Sequence, residues 1–79
     1  MTYSRIYDAI NNALGRAPEK SYSAEMHVQM IKYAGVLRDV SGREFCTGVG
    51  INPSWAVEFA KMKKISSRLI EAGLNPELL

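Results

Sequence analysis

From Tyr3 to Leu14 the apolar residues Tyr3, Ile6, Tyr7, Ile10 and Leu14 recur every three or four positions. That spacing puts them on one face of a helix, and Gly15 is placed to close it. Residues 16–23 contain Pro18 and several polar side chains, so they predict a connection that ends in Ser23 as the N-cap of a second helix. Met26, Met30, Tyr33, Ala34, Leu37 and Val40 then keep the same rhythm, which predicts a long central helix over residues 24–40. Val28 and Ile31 widen its apolar surface toward a second neighbour.

Ser41-Gly42-Arg43-Glu44 has the form of a capping box, with Ser41 and Glu44 each able to satisfy the other's backbone amide. The helix that starts there must be short, because Gly48 and Gly50 weaken it. Asn52-Pro53 is a restart signal, with Asn52 as N-cap and Pro53 at the first helical position. Ala56, Phe59, Ala60, Met62, Ile65, Leu69 and Ile70 carry the final helix to Gly73, where Leu74 can fold back in a Schellman cap. Asn75-Pro76 repeats the restart signal with room for one turn. Helices joined by short connections predict an all-α fold, a small four- to five-helix domain spanning residues 1–79.

Composition narrows the chemistry. At 79 residues one core is all the chain can hold, and association into a dimer would add to a small stability margin. One cysteine, Cys46, excludes an internal disulfide, and with His27 as the one histidine no Cys/His zinc site can be assembled. No metal or other cofactor is expected. Residues 1–14 lack the basic start and apolar middle of a signal peptide, and no apolar run is long enough to span a bilayer, which predicts a cytoplasmic protein with no membrane partner. No enzyme motif stands out. Cys46 is expected between helices without an adjacent His, and Gly48-Val49-Gly50 is not followed by the lysine of a phosphate-cradling loop.

The net charge of +2 is only weakly basic, but its distribution is uneven. Lys61, Lys63, Lys64 and Arg68 fall between Phe59 and Ile70 with no acid among them. Such a run is either a solvated helix face or a set of phosphate contacts.

Residues 42–59, GREFCTGVGINPSWAVEF, resemble the helix-turn-helix of small bacterial and phage transcription regulators. The resemblance covers about 18 of 79 residues. It makes Phe45 and Val49 the core residues of the first helix, Cys46 the small residue at the crossing, Gly50 the turn glycine and Ile51 the buried turn residue. Ala56 and Phe59 would anchor the second helix. Gly48, a second glycine in the first helix, departs from the pattern, as does a recognition helix with an acid and no arginine or glutamine.

The resemblance implies a helix-turn-helix at about residues 41–63 that binds duplex DNA, as a homodimer, with residues 53–63 in the major groove. The candidate contacts are Asn52, Ser54, Trp55, Val57, Glu58 and Lys61 at the groove, with Lys63, Lys64 and Arg68 on backbone phosphates. Trp55 packs either into the core, into a dimer contact or onto DNA. The competing expectation is a protein-interaction module of phage or plasmid type that keeps the helix-turn-helix shape and offers Trp55, Val57 and Met62 to a protein partner.

Overall fold

The computed structural model describes residues 2–79 and contains four α-helices, with no strand among the described residues. They are α1 (Tyr3–Arg16), α2 (Tyr22–Tyr33), α3 (Gly42–Val49) and α4 (Trp55–Glu71), followed by a single 3-10 turn at Pro76–Leu78. The all-α class is therefore as expected. Four helix boundaries differ, each for a local reason.

Gly15 lies inside α1 instead of closing it. The helix stops at Ala17, whose ψ of 138° is extended. Pro18 follows, and a proline's ring disfavours helical backbone in the residue before it. At the start of α2, Ser21 and not Ser23 occupies the N-cap. A turn closed by Ser21 N–H on Pro18 C=O at 2.9 Å, with Lys20 at a φ of 69°, launches the helix earlier.

The central helix is shorter than predicted. α2 ends at Tyr33, and residues 34–39 run on as consecutive turns. Leu37 N–H bonds to Tyr33 C=O at 3.0 Å, and Val40 N–H bonds to Leu37 C=O at 2.9 Å. These turns preserve the three- and four-residue rhythm, so Ala34, Leu37 and Val40 are still buried. A break exposes carbonyls that a continuous helix would occupy, and α4 supplies donors near it. Ser66 Oγ donates to Ile31 C=O at 2.9 Å, and Lys63 Nζ donates to Val40 C=O at 2.8 Å.

Pro53 lies just outside the last helix. Asn52 Oδ1 accepts from Ser54 N–H at 2.9 Å, Trp55 N–H bonds back to Asn52 C=O at 3.0 Å, and α4 begins at Trp55. Its far end is the predicted Schellman cap: Gly73 has a φ of 109°, and Leu74 N–H reaches Leu69 C=O at 2.9 Å. Asn75 caps the 3-10 turn by accepting from Glu77 N–H at 3.1 Å.

The core gathers Ile6, Ile10 and Leu14 of α1, Met26 and Met30 of α2, Leu37 and Val40 of the turns, Phe45, Cys46 and Val49 of α3, and Phe59 of α4. Phe45 and Phe59 stack with ring centroids 4.1 Å apart, and Tyr7 meets Phe45 edge-on at 6.2 Å. Met26 and Met30 fill the space between helices, which is what a flexible unbranched side chain does best.

Candidate nucleic-acid interface

The elbow between α3 and α4 is built from local chemistry. Ser41 and Glu44 form the full capping box: Ser41 Oγ accepts from Glu44 N–H and Glu44 Oε1 accepts from Ser41 N–H, both at 3.1 Å. The bonds with Ser41 also hold the Glu44 carboxyl below its ordinary value. After the eight residues of α3, Gly50 ends the helix in the left-handed region, φ 83°, and Ile51 N–H bonds to Cys46 C=O at 3.0 Å. A residue with a Cβ would be strained at that φ. Phe45, Cys46, Val49 and Phe59 are buried as the helix-turn-helix pattern requires, while Ala56 and Ile51, the latter expected to be buried, are half-buried.

A close crossing of α3 and α4 falls at Gly42. A Cβ built on Gly42 would lie 2.7 Å from the Ala56 carbonyl oxygen and 2.8 Å from the Ala56 Cβ, so α3 and α4 touch backbone to backbone there. Gly48 also has a purpose invisible in the sequence, because a Cβ on it would collide with the ring of Tyr7. α1 is tied to the same elbow by Asn11 Nδ2, which donates to Val49 C=O at 2.9 Å. Burial pushes the Cys46 thiol up, leaving it protonated and a poor nucleophile near neutral pH.

α4 divides the nine candidate residues into two groups. Val57, Lys61, Lys64 and Arg68, spaced by four, three and four positions, share its outer face. All four are exposed, Val57 to 62%. Asn52 and Ser54 are exposed on the turn ahead of it, although Asn52 Oδ1 is already engaged by Ser54 N–H.

The remaining three are turned to internal work. Trp55 is half-buried, its ring meeting Tyr22 at 6.2 Å and His27 at 5.8 Å in edge-on contacts. Glu58 has both carboxylate oxygens occupied, Oε1 by His27 Nε2 at 3.0 Å and Oε2 by Lys61 Nζ at 3.4 Å. The His27 hydrogen bond foremost, and Lys61 after it, hold the Glu58 carboxyl below its ordinary value. Lys63 lies over the Phe59 ring at 4.7 Å while bonding to Val40 C=O.

His27 is therefore more than a surface residue: it fastens α2 to the first turns of α4. No sequence signal marked it, because its partner is 31 positions away. Arg38 is the other residue that sequence reasoning passed over. It lines a groove with Lys63 and Lys64, so the positive surface of α4 extends onto the turns after α2.

Among the described residues no helix is long and apolar enough to cross a membrane, and no group of three or more acidic, His or Cys side chains converges as a metal site. A family model described as an HTH-like domain matches residues 2–72, which takes in all four helices. No curated protein and no solved structure shows significant similarity to the chain.

Proposed function

The chain belongs to the HTH-like domain family, and from that premise we propose that it binds duplex DNA in a sequence-specific way, as a homodimeric transcription regulator of bacterial or phage type working in the cytoplasm. One observation carries the reading. The helix that follows the Gly50 turn is held by Phe59, Trp55 and Glu58, and its opposite face is an exposed line of Val57, Lys61, Lys64 and Arg68, of which Lys61 also reaches Glu58. A recognition helix needs this combination of a fixed inner face and a free, cationic outer one.

In this reading Ser54 and Val57 face base edges near the start of α4, Val57 against a thymine methyl, while Lys61, Lys64 and Arg68 neutralise phosphates. Glu58, Lys63 and Trp55 act by positioning the helix. The protein-partner alternative draws less support, since Trp55 is already packed against Tyr22 and His27, and Met62 is half-buried against the core.

The test is a titration of labelled random duplex at about 50 and about 200 mM salt. The expected result is steeply salt-dependent binding, with Lys61→Ala and Arg68→Ala each lowering affinity and reducing the salt slope by about one. Absence of binding at the lower salt, or affinity indifferent to both substitutions, would overturn the reading.

A further inference from the structure

The C-terminal half of α4 and the turns after α2 leave a groove of about 560 Å³ between them. Its floor is apolar, made by Ala34, Ala60 and Ile70, and its edge carries Arg38, Lys63 and Lys64. No carboxylate lines it. Whatever fills such a groove brings an apolar side chain for the floor and a negative charge for the edge. A DNA backbone offers the charge without the apolar part, so this surface asks for something other than duplex.

The chain itself carries a segment of that chemistry. Leu78 is 82% exposed, more than any other large apolar residue described, and the acidic Glu77 precedes it. The segment is presented in a fixed place. Asn75 caps its turn, and Lys32 Nζ donates to Leu79 C=O at 3.0 Å, holding it against α2. Held there, Leu78 projects into solvent and does not fill its own groove. A second, shallower cleft beside the segment is lined by Gly35, Arg38 and Ile70, the same residues that wall the groove, together with Pro76 and Glu77. Groove and projecting segment therefore sit side by side on one face.

That adjacency is what a two-fold contact requires, because each copy must present both complementary halves on a single patch. We propose that this face pairs two copies of the chain, with Leu78 of each entering the groove of the other and Glu77 meeting the second copy's Arg38. Among the described residues Arg38 and Glu77 make no ion pair within the chain, so their charges are free for this contact. The proposal deepens the homodimer part of the DNA-binding reading by giving it a surface. It covers the Ser67 and Ile70 side of α4, with Lys64 at the rim, and leaves Val57, Lys61 and Arg68, which do not line the groove, clear for duplex.

Sedimentation equilibrium of the 79-residue chain from about 10 to about 500 µM tests it, a range suited to a small transient interface. The expected result is a concentration-dependent dimer whose dissociation constant rises at least about tenfold in Leu78→Asp, about 1.4 kcal/mol. Arg38→Glu should weaken it likewise, and Arg38→Glu combined with Glu77→Arg should restore it. All three positions are exposed, so thermal melts of the variants should overlay the parent. A chain that stays monomeric throughout, or a dimer indifferent to Leu78→Asp, overturns the proposal. Duplex binding measured on the same samples separates the two ideas: a monomer with salt-dependent DNA affinity sinks the interface alone, and a groove-dependent dimer without DNA affinity sinks the DNA reading alone.

Discussion

The two halves of α4 obey different constraints although they are one continuous helix. In the first half nearly every inward or lateral side chain is committed: Trp55 to two rings, Ala56 to Gly42, Glu58 to His27, and Phe59 to the stack with Phe45. In the second half Ile65, Leu69 and Ile70 remain between 38% and 44% exposed, with buried Ser66 as the main tie to α2. The first half is held in place by its neighbours, whereas the second carries apolar surface that the chain does not use on itself. The contrast separates the part of the helix whose direction matters from the part with contacts to spare.

The difference can be broken most forcefully at Phe59. Phe59→Ala removes a fully buried ring and its stack with Phe45, and should cost about 3–5 kcal/mol in chemical denaturation. For a chain of this size that approaches the whole stability. A loss below about 1 kcal/mol would mean the two halves are not unequal in the way described.

Gly42→Ala comes next. Alanine is the better helix former by up to about 1 kcal/mol, yet its Cβ would press on the Ala56 backbone, which cannot swing aside as a long side chain can. Overpacking of this kind costs about 1–3 kcal/mol, so a net destabilisation is expected, and a raised melting temperature would show that the crossing is looser than it looks.

The acid limb of the stability curve sharpens the comparison further. Because Glu58 has its pKa lowered in the folded state, its contribution is fully present above the ordinary carboxylate value of 4.5 and is lost as pH falls through the lowered one. His27→Ala removes the main cause of that lowering. The variant should be less stable at neutral pH and should lose less on acidification below about pH 4.5. Parallel acid limbs in parent and variant would contradict this. The smallest effect belongs to the second half, where Ile65→Ser should stay within about 0.5 kcal/mol of the parent in the same denaturation assay.

Much of this was legible in the chain because it depends on neighbours in sequence. The Ser41–Glu44 box, the left-handed Gly50, the Schellman cap at Gly73 and the burial of Phe45, Cys46, Val49 and Phe59 all follow from residues within a few positions of one another. The break after Tyr33 was hidden for a physical reason: successive turns bonded three or four residues apart keep the apolar spacing of a helix, so Leu37 and Val40 sit in register without one. The His27–Glu58 bond, the seat of Tyr7 on Gly48 and the place of Arg38 beside Lys64 arise from long-range packing that periodicity does not encode. Trp55, Glu58 and Lys63 each have an intrachain contact, to His27, to His27 and to Val40, that the spacing along α4 does not reveal.

Cys46 gives the elbow a property that none of its neighbours has. Its sulfur is buried in the core and held as the thiol, and it is the chain's one cysteine. A thiol reagent can reach it only when the core around it opens, so with rapid reclosing the labelling rate reports the fraction of time the core is open. The molecule thus contains its own gauge of core opening. A partner that holds the fold shut would slow labelling by the same factor that it suppresses opening, without any dye or tag being added elsewhere.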